Sequence, residues 1–207
     1  EPRMSDASRR ERILGVAGRL FAHYGPGKTT VADIARACGI GVGSVYLDFQ
    51  SKEAILAALA QKNVSTVASR MKTAAAKGGR APERLVAMLR ARVDALYDLA
   101  EGSQHGCDLV RCRADRTTEA HAPGFGRDVR ALLEAEIAAG IERGELRKVD
   151  PSGAVRLIEL AFAALSPPGV FTISRKDALA TTMGLASLVV GGLVAGALAS
   201  APPAEDR

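Results

Sequence analysis

Residues 29–53 read TTVADIARACGIGVGSVYLDFQSKE, and this stretch decides the fold. Thr30 and Asp33 stand at capping-box spacing and predict a short helix reaching Cys38. Ile34 and Ala35 fall on its inner face, and the small Ala35 lets another helix cross closely. Gly39 stands where a tight turn needs a left-handed residue. The next helix is predicted over 42–48, with Ile40, Val45 and Phe49 completing a small core and Cys38 a buried apolar thiol. Ser51 then caps a further helix. Helix, tight turn and crossed helix make a helix-turn-helix, whose second helix enters the major groove of DNA.

Outward from this stretch, breakers divide the chain into about nine helical segments. The first, over 8–24, carries Ile13, Leu14, Ala17, Leu20, Phe21 and Tyr24 at helical spacing and stops at Gly25-Pro26-Gly27. The fourth starts at Ser51. Gly78-Gly79-Arg80-Ala81-Pro82 separates it from a fifth that continues to about Ala100. A sixth begins near Cys107 and fades by Thr117, and the seventh covers 125–143. Asp150-Pro151 opens an eighth that ends before Ser166. Ser174 with Asp177 opens a ninth running to about Ser200. The reading is all-α: a three-helix helix-turn-helix domain over 1–52, then a helical bundle over 53–207.

Composition agrees with this. The 207 residues are 47% hydrophobic, 25% charged and only 4% aromatic, rich in helix formers and without strand-like alternation. The net charge of +5 permits nucleic-acid binding without requiring it. Three cysteines, an odd number, and a charged opening (Met4 reads as a native start) predict free thiols in the cytoplasm.

The sequence closely resembles the tetracycline-repressor (TetR) family. The resemblance rests on Thr29, Thr30, Ile34, Ala35, Gly39, Ile40, Gly43, Ser44, Val45, Tyr46, Phe49, Ser51, Lys52 and Glu53, matched without gaps, and covers about residues 8–60. It implies that Thr29 and Thr30 meet phosphate through hydroxyl and backbone N–H groups at a helix start. Ser44 and Tyr46 would donate hydroxyls, mainly to phosphates, and Lys52 would pair with a phosphate. Gly41, Val42 and Leu47 would occupy exposed positions of the recognition helix.

Two positions depart from the family pattern. Val42 stands where a polar residue is common, and Asp48 where Tyr is common. The recognition face therefore has no Arg, Lys, Asn or Gln, the residues that best read purine edges. Specificity is then expected from apolar contact with thymine methyls, through Val42 and Leu47, and from DNA shape. Asp48 is expected to face away from phosphate, or else to lower affinity. Arg9, Arg10 and Arg12 read either as a solvated face or as further phosphate contacts.

No catalytic set is present: there is no P-loop, dinucleotide fingerprint or nucleophile elbow, so no enzyme and no cofactor are expected. His105, Cys107 and Cys112 match no standard zinc spacing, so no metal is expected. Glu134 and Glu136 are expected to be solvated, with Arg130 nearby. From Ala178 to Ala201 no charge follows Asp177, a length that could span a bilayer, and Gly192 and Gly196 have close-packing spacing. Abundant Ala, Gly, Ser and Thr, together with the resemblance, favour instead a homodimer interface through the last two helices. The resemblance also implies an effector cavity, with Met88, Tyr97, Phe125, Phe162 and Phe171 as lining candidates, although ordinary core is the stronger reading for each. The expected function is a ligand-responsive regulator, a repressor released from its DNA operator by a small, largely apolar molecule. The alternative is the same DNA-binding head answering to a protein partner or a membrane tether.

Overall fold

The computed structural model describes residues 6–100, 126–167 and 169–194. The helix signals are realised where local capping dictates them. After α1 (Asp6–Tyr24), Thr30 caps α2 (Val31–Cys38), its Oγ1 accepting from the Asp33 N–H at 3.1 Å while Thr30 N–H donates back to the Asp33 carboxylate at 3.0 Å. Gly39 closes α2 at φ 61°, the left-handed conformation that a side chain disfavours. Next come α3 (Val42–Asp48) and α4 (Lys52–Ala75), the latter capped by Ser51 Oγ, which accepts from Ala54 N–H at 3.1 Å.

Six further elements follow: α5 (Ala81–Ala100), α6 (Arg127–Glu142), α7 (Pro151–Ala161), two 3₁₀ turns (Ala163–Leu165 and Gly169–Thr172) and α8 (Arg175–Gly191). Eight α-helices and no strand are thus present among the described residues. The helix expected near Cys107, and Phe125, lie outside them.

The chain packs as two units. Of the described residues, the first holds 6–66 and 96–100, and the second holds 67–95 together with 126–194 apart from 168. In the first, Ile13, Ala17 and Phe21 of α1 meet Ile34, Ala35 and Cys38 of α2, Val45 of α3, Phe49 and Ile55, all at most 4% exposed. Removing one large side chain from such a core costs about 2–5 kcal/mol.

In the second unit, Leu85, Met88, Leu89 and Val93 of α5, Leu133 and Ile137 of α6, and Val155 and Ile158 of α7 are buried. Gly140 is required there, because a Cβ on it would lie 2.6 Å from Ala81 Cβ and 2.7 Å from Leu146 Cδ1. The buried Arg92 donates to Leu165 O at 3.1 Å and Ser166 Oγ at 2.8 Å, tying α5 to the first 3₁₀ turn.

Two expectations are corrected. The last helix does not run to Ser200: α8 stops at Gly191, Gly192 caps it, and the chain pairs with the α6–α7 loop through Arg147 N–H to Leu193 O at 2.9 Å and a bridge between Leu146 and Val194. The Gly191-Gly192 pair weakens the helix, and the loop offers the following backbone another partner. Glu136 is not simply solvated. Its side chain is 16% exposed and pairs with Arg84 at 2.8 Å and Arg143 at 3.1 Å, while Arg130 reaches Glu159.

No helix among the described residues is long and apolar enough to cross a membrane.

Candidate nucleic-acid interface

The second helix of the helix-turn-helix shows most of its surface to solvent. In α3 only Val45 is buried; Tyr46 is 50% and Leu47 78% exposed, with Val42 exposed beside them. Val42 and Tyr46, four residues apart, share one strip of the helix, and Gly43 and Leu47 the next. Ser44 is half-buried. The strip presents methyls, a phenol and bare backbone, and no cation.

Two glycines in this strip have no internal packing reason. A Cβ at Gly41 or Gly43 would meet nothing within 4 Å. Gly41 has an ordinary φ of −67°. Gly43 lies inside a helix, where glycine costs about 1 kcal/mol relative to alanine. The fold therefore bears a cost at Gly43 that nothing among the described residues requires.

At the start of α2 the two threonines divide their work. Thr29 is 2% exposed and its hydroxyl donates to Gly25 O at 2.9 Å, closing the turn after α1. Thr30 is exposed, but its hydroxyl donates to Asp33 Oδ2 at 2.6 Å. Both hydroxyls are engaged inside the protein. These bonds from Thr30 hold the Asp33 carboxyl below its usual range. Lys52 is half-buried, and its Nζ donates to Pro26 O at 2.9 Å. Sequence reasoning missed Lys28, exposed immediately before the threonines, which with Tyr24 and Arg36 borders a surface groove of about 410 Å³. The available signal was a basic residue just ahead of a helix N-cap.

The arginines of α1 are used within the unit. Arg9 Nε and Nη2 donate to the Asp48 carboxylate at 2.7 and 3.1 Å, which holds the guanidinium above its ordinary pKa. Arg10 lies over the Phe49 ring, 4.6 Å from its centroid. Arg12 donates to the Cys38 carbonyl at the end of α2. Burial pushes the Cys38 thiol above its ordinary pKa, against the pull of Arg12 and Arg19.

Of the effector-lining candidates, Met88 and Phe162 are fully buried in the second unit and Phe171 is half-buried there. Tyr97 is half-buried in the part of α5 that belongs to the first unit. Phe125 lies outside the described residues, as do His105, Cys107 and Cys112.

The profile of bacterial regulatory proteins of the tetR family matches residues 13–59, the span from the α1 core to α4. The chain is 41% identical over 64 residues to the HTH-type transcriptional regulator YerO of Bacillus subtilis, a match covering 31% of this chain and 22% of that protein. It is 29% identical over 163 residues to the HTH-type transcriptional repressor KstR2 of Rhodococcus jostii, covering 77% and 75%. A solved structure concerned with the control of antibiotic production by bacterial hormones superposes with a TM-score of 0.70 at 28% identity, over 93% of this chain and all of that one. The matched region spans only about a fifth of YerO but three quarters of KstR2. With the gapless motif and the crossed helices, these likenesses lead to one conclusion: residues 13–59 form a DNA-binding segment of the kind found in bacterial regulatory proteins of the TetR family.

Proposed function

We propose that this protein is a transcriptional regulator that binds duplex DNA through α3 and acts as a repressor. The observation that carries this reading is the exposed α3 strip, above all Gly41 and Gly43, which are bare where the protein's own packing would admit a side chain. A partner surface that comes within van der Waals reach of the helix backbone accounts for them, and a groove wall of DNA is such a surface. Val42 and Leu47 meet thymine methyls, and Tyr46 and Ser44 donate to phosphates. Thr29 and Thr30 serve mainly by presenting the α2 start, whose N–H groups and neighbouring Lys28 face phosphate. Lys52 adds a cation at the start of α4.

The relatives named as repressors support the direction of regulation. The second unit, all-helical with Met88 and Phe162 in its core, suits a small and largely apolar effector whose binding favours a conformation that releases DNA. Leu157 and Leu160 of α7 and Leu188 of α8, each at least 66% exposed, support a homodimer through these two helices. The site of action is the cytoplasm.

Gly43→Ala separates folding from function. Alanine should raise stability by about 0.5–1 kcal/mol in thermal melts. It should lower affinity for duplex DNA at least tenfold in fluorescence anisotropy. Unchanged DNA affinity in the stabilised variant would remove the support that Gly43 gives to this reading.

A further inference from the structure

Asp48 ends the recognition helix, and nothing in α3 alone favours an acid there. A carboxylate at a helix C-terminus lies against the negative end of the helix dipole. Its reason is Arg9. The Asp48 carboxylate is 9% exposed, and it takes two of the three Arg9 nitrogens, Nε at 2.7 Å and Nη2 at 3.1 Å. The third, Nη1, donates to Asp6 Oδ1 at 2.9 Å. One guanidinium is thereby enclosed by two carboxylates, and the cluster carries a net single negative charge.

The position of this cluster matters. The seven residues of α3 make a helix about 10 Å long, and the major groove is about 12 Å wide. A helix of that length lying in the groove brings its C-terminal end near a row of phosphates. Asp48 stands at that end, one residue beyond the exposed Leu47, and holds Arg9 of α1 there. Phosphate contacts bind all sequences alike and supply essentially all non-specific affinity. Specificity is the ratio of site binding to that background.

We propose that Asp48 withholds Arg9 from DNA phosphate and so acts as a specificity-determining residue. It suppresses a sequence-blind contact on a recognition helix whose base contacts are apolar and individually weak. This rests on the DNA-binding reading above. The bidentate pair also fixes the end of α3 against α1, so the reading strip keeps one orientation.

The test uses full-length protein and a random-sequence duplex of about 30 bp, with anisotropy titrations across roughly 50–200 mM KCl. Asp48→Ala frees Nε and Nη2 of the guanidinium and leaves only the exposed Asp6 on Nη1. Its affinity for the random duplex should rise roughly five- to tenfold, and the slope of log K against log salt should steepen by about 0.9 for each subunit engaged. Adding Arg9→Gln to Asp48→Ala should return the slope to the wild-type value. Arg9→Gln alone should leave the slope unchanged, because Arg9 makes no phosphate contact while Asp48 holds it.

Three outcomes would overturn the proposal: an unchanged slope in Asp48→Ala, a steepened slope that survives in the double variant, or a loss of about 0.9 in Arg9→Gln alone. The last decides the matter even if Asp48→Ala does not fold. Failure of the wild-type protein to bind any duplex would instead refute the DNA-binding reading, and is seen separately.

Discussion

Lys52 Nζ donates to the Pro26 carbonyl at 2.9 Å, joining the first turn of α4 to the loop between α1 and α2. A cation at a helix N-terminus is opposed by the dipole, and a carbonyl that accepts from it offsets this. The same ammonium has two further donors for phosphate. Lys52→Ala should therefore have two effects: a stability loss of about 1 kcal/mol in chemical denaturation, and a salt slope shallower by about 0.9 per subunit with all duplexes weakened alike. A sequence-selective loss would contradict the phosphate role.

The Thr30–Asp33 capping box should make the first unit acid-sensitive. Asp33 is held below the usual carboxyl range by hydrogen bonds from Thr30, so its ionised form is favoured in the folded state. Its stabilisation is complete above the unfolded carboxyl pKa and is lost as pH falls through the lower, folded one. Melting temperatures of wild type and Asp33→Asn should differ at neutral pH and converge in acid. A constant gap down to the acid-unfolding limit would show that the carboxylate charge is not what stabilises the cap.

Val42 is 41% exposed on the reading strip and is free to lose two methyls without disturbing the core. Val42→Ala should leave stability within about 0.5 kcal/mol. At the thymine that the proposed function assigns to it, the variant should lose about 1–2 kcal/mol of discrimination, roughly tenfold. Discrimination profiled position by position checks this, and an unchanged profile would reassign specificity to Leu47 or to DNA shape.

What the sequence made legible, and what it did not, divides by distance along the chain. The Thr30–Asp33 box, the Ser51, Asp150 and Ser174 caps and the Gly39 turn lie within three or four residues of what they control, and each formed as expected. Asp48, which binds Arg9 twice, and the Cys38 carbonyl, which binds Arg12, lie 39 and 26 residues away, so periodicity leaves those arginines as either solvated groups or DNA contacts. Lys52 and Pro26 are likewise 26 apart. Glu136 reads as solvated because Arg84, which binds it with two nitrogens, is 52 residues distant. The end of α8 was overrun because the apolar pattern continues past Gly192, while the competing pairing with residues 146 and 147 has no local signal.

Under the proposed function, α3 of a symmetric pair reads duplex DNA. Selection of bound duplexes from a random pool by the full-length protein, at about 100 mM salt, tests it most directly. The expected result is enrichment of a near-palindromic site with half-site centres about 10 bp apart, or a multiple of that, containing thymines whose replacement weakens wild type more than Val42→Ala. Recovery of no sequence above background, with a protein shown to be folded, would contradict it.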